Sequence, residues 1–220
     1  MFRILCLSLI YDYSLDALVA RLYDYYSLQA SVKRMVHFLL YTFSFLLLTF
    51  VFYLAYMKIR TATEKDLEAI NHIYNQVIPY KMSTADTEPY TMDERLKWYK
   101  AYDRLRYPVF IADTGDEVAG YFSFSPYRPR RMAMRYTAEI SYFVDEKYRN
   151  IGIGTSLMAH AIGKAPEYNF KTLIAILLSH NAVSIKLLEK FGFSEWGRMP
   201  GVADFQGKER DHLYYGLRIG

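Results

Sequence analysis

A glycine-bearing loop is the clearest chemical signal in the sequence. The residues Arg149-Asn150-Ile151-Gly152-Ile153-Gly154 follow a strand-forming run and precede the start of a helix. Glycines let backbone N–H groups approach a ligand closely, and a helix N-terminus adds partial positive charge. The loop therefore suits a pyrophosphate. A Rossmann dinucleotide site is disfavoured, because the third glycine of that fingerprint is missing and the loop follows the fourth predicted strand rather than the first.

A second segment, one strand and one helix later, reads Asn181-Ala-Val-Ser184 and ends in Glu189-Lys190-Phe-Gly192-Phe193. With both segments the chain, from Met57 to about Gly220, resembles the GNAT superfamily of acetyl-CoA-dependent N-acetyltransferases. Finer features resemble its phosphinothricin-acetyltransferase-like branch, whose members acetylate the amino group of small amino acids or their analogues. These features are Ile73-Tyr74-Asn75, Thr87-Glu88-Pro89, Tyr107-Pro108 and the run from Thr137 to Val144.

The resemblance implies a fold, a co-substrate and a set of site residues. The fold is α/β, with a GNAT-like mixed central sheet flanked by helices, and the co-substrate is acetyl-CoA without a metal. Glu139 matches the general base. The strand backbone at Tyr142, Phe143 and Val144 matches the part that holds the pantetheine arm. The cofactor contacts expected beyond that strand are Asn181 and the loop residues Arg149, Asn150, Ile151, Gly152, Ile153, Gly154 and Thr155.

The general-base role of Glu139 also has an independent argument. An amine must lose a proton when it attacks a thioester carbonyl, and a carboxylate on a strand beside the acyl group can accept it. Burial would raise the pKa of that carboxylate toward a useful value. The alternative is a structural glutamate that pairs with Arg135 or a neighbouring arginine.

The acceptor residues are harder to assign. Tyr127 and Arg128 follow the third predicted strand, where relatives form a wall of the acceptor site, and Arg128 and Arg135 belong to a basic cluster. A guanidinium there could hold an acceptor carboxylate in a bidentate pair, although a solvated basic loop is the competing interpretation. By the resemblance, Asp211 matches an acidic residue of the C-terminal loop that closes the site.

Leu188 departs from the pattern of the resemblance, because many relatives carry tyrosine or histidine at this position. Leucine cannot protonate the departing CoA thiolate. Water, another tyrosine, or departure as the free thiolate are the alternatives, and a thiol pKa near ~8.5 makes the last one tolerable. A non-catalytic acyl-CoA-binding module tethered to a membrane, and acetylation of a protein or peptide N-terminus, remain the alternative functions.

Composition limits the other possibilities. The chain has 220 residues, 52% of them hydrophobic, a formal charge of +4 and one cysteine, Cys6. A single cysteine excludes a disulfide framework and a thiolate zinc cage. The modest charge suits an anionic cofactor and argues against nucleic acid as a partner, and the histidines have no metal-ligand spacing. The partner expected is a small-molecule amine acceptor, with a homodimer left open.

The first 56 residues differ from the rest. All 11 glycines and all 7 prolines follow Met57, and residues 36–56 contain no Asp, Glu, Lys or Arg. A run of this length can span a bilayer as a helix, so one interpretation is a hydrophobic transmembrane anchor. The others are a buried hairpin partner of the domain and a non-native extension upstream of the true start at Met57. Either way we expect a catalytic domain over 57–220 that faces the cytoplasm, membrane-anchored if 36–56 is native.

Local signals outline the elements of that domain. A helix is expected to open at Thr63, with apolar positions from Leu67 to Val77, and to end at Pro79. A capping box at Thr91–Glu94 predicts a second helix reaching about Leu105. Strands are expected at 58–62, 108–112, 118–125, 137–144, 171–178, 193–198 and 212–219, and further helices at 154–165 and 181–190.

Overall fold

The structure, a computed structural model, describes residues 15–220, except for the side chains of 15–18, 22, 25, 30 and 44–56. The chain divides into two compact units, Met1–Ala55 and Tyr56–Gly220. Helix α1, Leu15–Tyr56, forms the described part of the first unit, ends at the unit boundary and includes the apolar run 36–56. Among the described residues, no helix is both long and apolar enough to cross a membrane. The expected transmembrane anchor is therefore not supported, and the expectations for residues 1–14 lie outside the description.

The second unit is built on a seven-stranded sheet whose order is β1-β2-β3-β4-β5-β7-β6. Neighbouring strands are antiparallel except for β4 and β5, which are parallel. The predicted α/β fold with a mixed sheet is thus confirmed. The strands are β1 Lys58–Thr61, β2 Val109–Asp113, β3 Val118–Pro126, β4 Thr137–Val144, β5 Thr172–Leu178, β6 Ser194–Asp204 and β7 Glu209–Arg218.

Helices cover both faces of the sheet. They are α2 Leu67–Val77, α3 Met92–Lys100, α4 Ile153–Lys164 and α5 Ala182–Lys190, with short 3-10 turns between elements. Alternate residues of β3 serve the two faces: Tyr121 packs with α2 and α3, whereas Phe122 contacts His160 of α4. The apolar core therefore lies on both sides of the central strands. The polar residues of β3 and β4 are exceptions in otherwise apolar strands.

Helix α3 ends earlier than the sequence suggested. The capping box is present, since the Thr91 hydroxyl accepts from the Glu94 N–H and the Glu94 carboxylate accepts from the Thr91 N–H. The expected extension to Leu105 is wrong, because the helix stops at Lys100. Arg104 folds back and donates to the carbonyls of Trp98 and Tyr99, so its guanidinium caps the last turn.

Candidate active site

A cleft of about 1130 Å³ opens where two strands of the sheet separate. The parallel strands β4 and β5 pair only from Thr137 to Glu139 and from Thr172 to Ile174. Both strands continue beyond this point, β4 to Val144 and β5 to Leu178. Because β4 pairs only with β3 over 140–144, the backbone groups on its other edge are available to a ligand that lies between the strands.

The glycine loop forms one end of this cleft. Asn150 and Gly152 have φ values of 63° and 93°, and helix α4 begins at Ile153 with Gly152 as its N-cap. This conformation exposes the first N–H groups of α4, which have no intrahelical acceptor. The cleft is lined here by Arg149, Asn150, Gly152, Gly154 and Thr155. A pyrophosphate fits such a concave array of N–H donors.

Four other predicted cofactor residues line the cleft, and two do not. Tyr142, Phe143 and Val144 lie on the free part of β4, and Asn181 is 5% exposed and caps α5 by accepting from the Ser184 N–H. Ile153, in contrast, is the first residue of α4 and is buried in the core, and Ile151 is half-buried and does not line the cleft. Neither isoleucine side chain faces the space that a ligand would occupy.

Arg149 is held by neighbours that a cofactor can replace. Its guanidinium lies 5.7 Å from the Tyr80 ring centroid, and Nη2 is 3.7 Å from Glu146 Oε1. Such an exposed ion pair contributes little stability, so the guanidinium is free to turn toward a pyrophosphate. Tyr80 also lines the cleft and belongs to the 3-10 turn Ile78–Tyr80 after α2.

Glu139 lies on the wall of the cleft where β4 and β5 separate. It faces Ser125 directly across the β3–β4 pair, and Ser141 and Ser123 form the next pair on the same face. The side chain is half-buried, and in the described part of the chain no hydrogen bond or ion pair to its carboxylate is present. Burial alone raises the pKa of the Glu139 carboxyl above its ordinary value.

The expected alternative partner of Glu139 is engaged elsewhere. Arg135 donates to the Met132 carbonyl at 2.9 Å, and its guanidinium lies 4.2 Å from the Tyr136 ring centroid. The arrangement leaves Glu139 as an unpaired carboxylate that faces a ligand-sized space. Such a group can accept a proton from an amine.

The residues expected to hold the acceptor do not all meet at the cleft. Tyr127 lines it, but Arg128, Arg135 and Asp211 do not. The Arg128 guanidinium lies over the Tyr127 ring, 5.5 Å from its centroid. Asp211 pairs with Arg198 at 2.8 Å and accepts from the Gly201 N–H, so it stabilises the β6–β7 hairpin.

Leu188, whose type departs from the resemblance, is buried and lines the cleft. Two groups nearby carry protons: His212, whose pKa is lowered by burial, and Tyr142, whose pKa burial raises to about 12. The Tyr142 hydroxyl is 3.5 Å from the Ser184 carbonyl oxygen. His212 was not assigned to the site from the sequence, because an isolated histidine carries no spacing signal.

The sequence analysis did not predict that α2 and α3 form a wall of the cleft. Arg95 lines the cleft with several aromatic rings, although it is only 2% exposed. The ring-bearing residues of this wall are Tyr74, Tyr90, Trp98 and Tyr121. The signal that could have found Arg95 is its place in α3, three positions before Trp98 and four before Tyr99, because those spacings lie on one helix face.

Comparison with known proteins identifies the family to which the chain belongs. Residues 68–193, more than half of the chain, match the Acetyltransferase (GNAT) family. YwnH of Bacillus subtilis, which bears a phosphinothricin acetyltransferase name, is 41% identical over 164 residues, covering 74% of this chain and 99% of the relative. An L-methionine sulfoximine/L-methionine sulfone acetyltransferase of Salmonella typhimurium is 32% identical over 163 residues, 74% of this chain and 95% of the relative.

A solved structure of a similar protein contains the co-substrate acetyl-CoA. The structure of yncA from Salmonella typhimurium with its cofactor acetyl-CoA superimposes with a TM-score of 0.69 at 32% identity, covering 75% of this chain and 95% of that one. The family and the co-substrate expected from the sequence are thereby confirmed. The separated strands and the glycine loop fit this co-substrate, since they offer backbone donors to an extended arm and to a pyrophosphate. The chain belongs to the GNAT family and is an acetyl-CoA-dependent N-acetyltransferase.

Proposed function

We propose that the protein transfers the acetyl group of acetyl-CoA directly to the amino group of a small amino-acid-like acceptor, with Glu139 as general base. The observation that carries the proposal is the unpaired Glu139 carboxylate on the wall of the cleft between β4 and β5. The relatives named for L-methionine sulfoximine and phosphinothricin support an acceptor of this class.

The residues that would hold acetyl-CoA follow from the cleft. The free edge of β4 at Tyr142–Val144 binds the pantetheine arm, the loop Arg149–Thr155 binds the pyrophosphate, and Asn181 contacts the cofactor at the start of α5. Acetyl-CoA supplies a thioester, an acyl group already activated for attack by an amine. No covalent enzyme intermediate is required, because the amine reacts with the bound thioester directly.

The acceptor ammonium loses two protons on the way to the amide. Glu139 accepts the first, and the neutral nitrogen then attacks the thioester carbonyl carbon. The C–N bond forms, the C–S bond breaks with its electron pair leaving on sulfur, and the second proton passes from the nitrogen to water or to the departing sulfur. Leu188 donates no proton, and a thiol with an unperturbed pKa near ~8.5 leaves as thiolate without strong assistance. The raised pKa of Glu139 brings its basicity closer to that of a useful general base.

A thiol-release assay tests this proposal. Purified protein is given acetyl-CoA and a panel that contains L-methionine sulfoximine, phosphinothricin, the common L-amino acids and short peptides, with mass spectrometry of the products. We expect thiol release that depends on the free amino acids and yields the N-acetyl derivative. Release only with peptides would indicate acetylation of polypeptide N-termini instead. Acetyl-CoA binding without release on any acceptor would indicate a non-catalytic module.

A further inference from the structure

The entry turn, residues 145–148, connects β4 to the glycine loop Arg149–Thr155. Part of its shape comes from its own residues. The Asp145 Oδ1 accepts from the Lys147 N–H at 2.8 Å, and the Asp145 carbonyl accepts from the Tyr148 N–H at 2.9 Å. Because the loop continues directly from this turn, the placement of the turn determines where the loop begins.

Gln76 of helix α2 holds the entry turn from outside with both ends of its amide group. The Nε2 donates to Asp145 Oδ2 at 3.1 Å, and the Oε1 accepts from the Glu146 N–H at 3.2 Å. These bonds connect residues that are 69 and 70 positions apart in the chain. The second bond reaches the backbone, so it constrains the path of the chain itself.

The orientation of the Gln76 amide group is fixed by its partners. A carboxylate only accepts hydrogen bonds and a backbone N–H only donates, so Nε2 must face Asp145 and Oε1 must face Glu146. The His72 Nε2 lies 2.8 Å from the Gln76 Nε2, so it must accept the second hydrogen and carry no proton itself. His72 is four positions before Gln76 on the same face of α2, and it supports the same orientation of the amide.

Glu117 contacts the entry turn from another side, but only through side chains. It accepts from the Lys147 Nζ at 2.7 Å and from the Tyr148 hydroxyl at 2.5 Å. The side chains of Lys147 and Glu117 are 64% and 47% exposed, and an exposed ion pair of this kind contributes little stability. The half-buried Gln76, which bonds a backbone group, therefore constrains the turn more strongly than Glu117 does.

Contacts between α2 and the cofactor side of the cleft continue on both sides of Gln76. Before it, the Tyr74 ring meets the Phe143 ring edge-on at 4.9 Å between centroids. After it, Tyr80 lies 5.7 Å from the Arg149 guanidinium. From Tyr74 to Tyr80 the contacts therefore follow the chain from the strand that would hold the pantetheine arm to the loop that would hold the pyrophosphate.

We infer that Gln76 is a positioning residue for the binding of acetyl-CoA. It holds the entry turn so that the N–H groups of the loop Arg149–Thr155 are in place before the pyrophosphate binds. This inference rests on the proposed function, in which that loop binds the pyrophosphate. Gln76 does not line the cleft, so it acts through the entry turn and not by contact with the ligand. A loop that is ordered beforehand loses less conformational entropy on binding, which increases affinity.

The test compares two ligands that differ in the group that the loop would bind. S-acetylpantetheine has the thioester and the arm of acetyl-CoA but lacks the pyrophosphate and the nucleotide. Gln76→Met keeps the length of the side chain and removes both hydrogen bonds to the entry turn. In calorimetric titrations of the full chain, we expect it to raise the Kd of acetyl-CoA about tenfold, or about 1.4 kcal/mol, the scale of one to two hydrogen bonds. The Kd of S-acetylpantetheine, and kcat at saturating acetyl-CoA, should not change.

Asn75→Ala is the matched structural control on the same helix. The Asn75 amide makes a similar pair of bonds, since Nδ2 donates to the Tyr90 carbonyl at 2.8 Å and Oδ1 accepts from the Tyr90 N–H at 2.9 Å. This pair connects α2 to the segment before α3 and not to the entry turn. The variant should lower the Tm at least as much as Gln76→Met does, while the Kd of acetyl-CoA stays the same.

A double variant tests the contact itself. Gln76→Glu alone sets two carboxylates against each other, so the Kd of acetyl-CoA should rise at least as much as in Gln76→Met. Adding Asp145→Asn exchanges donor and acceptor, because the new amide donates to the new carboxylate, which still accepts from the Glu146 N–H. The Kd of the double variant should return to within about threefold of the wild-type value.

The outcomes separate this inference from the proposed function. Equal losses for both ligands, a loss of acetyl-CoA affinity in Asn75→Ala as large as in Gln76→Met, or no recovery in the double variant would overturn the inference and leave the proposed function standing. A wild-type protein that binds acetyl-CoA no more tightly than S-acetylpantetheine would show that the loop does not bind the pyrophosphate. The cofactor assignment of the proposed function would then fail together with the inference.

Discussion

Glu139 combines two properties that usually exclude each other, burial and the absence of a partner. Its neighbours across the β3–β4 pair are serines, and the basic residues expected nearby point away from it. A structural role would have placed a cation within hydrogen-bond distance. Burial instead disfavours the charged form of this carboxylate and raises its pKa, which suits the proposed role as a general base.

Glu139→Gln should therefore separate catalysis from binding. We expect kcat to fall by roughly 10²-fold, the usual scale for loss of a general base, while acetyl-CoA affinity measured by calorimetry stays the same. The loss should become smaller at high pH, where more of the acceptor amine is already neutral. Glu167→Gln, an exposed glutamate on the turn after α4, is the control and should keep full kcat. Wild-type turnover of Glu139→Gln near neutral pH would exclude the base role.

The same variant has a stability signature. Because the folded-state pKa of Glu139 is raised, the folded protein binds its proton more tightly than the unfolded chain does, so stability falls as pH rises from the ordinary glutamate pKa to the raised value. Glutamine has no ionisable group at this position, so the variant does not lose stability in this way as pH rises. We expect the Tm of Glu139→Gln to exceed that of the wild type at pH 7, and this advantage to disappear on acidification. An equal Tm difference at all pH values would contradict the cause given for the pKa shift.

Gly152 tests whether the backbone conformation of the loop matters for the proposed binding of acetyl-CoA. Its φ of 93° lies in the left-handed region, where a Cβ costs about 1–2 kcal/mol. In Gly152→Ala the free loop relaxes, and binding must restore the strained conformation, so we expect acetyl-CoA affinity to fall about tenfold by calorimetry. Gly163→Ala, in the last turn of α4 with open space around a Cβ, should bind normally. Unchanged affinity in a folded Gly152→Ala protein would contradict this role of the loop.

More of the residues expected to bind the cofactor than of those expected to bind the acceptor line the cleft. The glycine loop is a local signal, since a few adjacent residues fix both its conformation and its N–H donors. The environment of Arg95 is not a local property, because its burial depends on Asn71, Tyr74 and Tyr121 from other elements. From the sequence alone, an isolated arginine in a helix is expected to be exposed to solvent, because its partners in the fold are not known.

At the scale of elements, the link between β1, β2 and the first helical turn is ionic. Asp66 is buried, accepts from Arg60 Nη2 at 2.8 Å and Nη1 at 2.9 Å, and also accepts from the Thr63 N–H at 2.7 Å. Arg60 bonds Asp113 at the end of β2 as well. The hydrogen bond from Arg60 is the main cause that holds the pKa of the Asp66 carboxyl below its ordinary value.

Asp66→Asn should destabilise the domain without touching the cleft. We expect a loss of about 1–3 kcal/mol in the free energy of unfolding by denaturant titration at pH 7, with kcat unchanged. A depressed pKa stabilises the fold above the unfolded-state value and loses this effect as pH falls through the folded-state value, so the difference from wild type should shrink on acidification. Asp116→Asn, an exposed residue of the β2–β3 turn, is the control, and an effect equal to that of Asp66→Asn would refute the pairing.

Element positions were largely predictable, and their ends were not. Periodicity and the capping box located α2 and α3, but the end of α3 is set by Arg104 reaching back to two carbonyls. The sixth strand was expected over 193–198 and in fact continues to Asp204. Two irregularities in its pairing with β7 carry it past Pro200, and a bulged edge strand tolerates proline where a central strand does not.

At the scale of the molecule, catalysis depends on a sheet that stays closed at one end and opens at the other. The β4–β5 pairing over three residues holds the strands together at Glu139, and the packing of α4 on β3 and β4 keeps the open end rigid. All of these elements lie in the unit Tyr56–Gly220. Among the described residues, those that line the cleft, with its proposed base and cofactor loop, run from Tyr74 to His212 and all lie in that unit.

A protein that begins at Met57 should consequently retain the whole activity. The sequence break at this position, the start of β1 at Lys58 and the unit boundary at Ala55 agree with one another. We expect this shortened protein to fold cooperatively, with kcat and acetyl-CoA affinity equal to those of the full chain assayed side by side in detergent. Loss of activity in the shortened form alone would mean that the first unit contributes to the catalytic fold. Mass spectrometry of the native N-terminus would then decide whether 1–56 belongs to the mature protein.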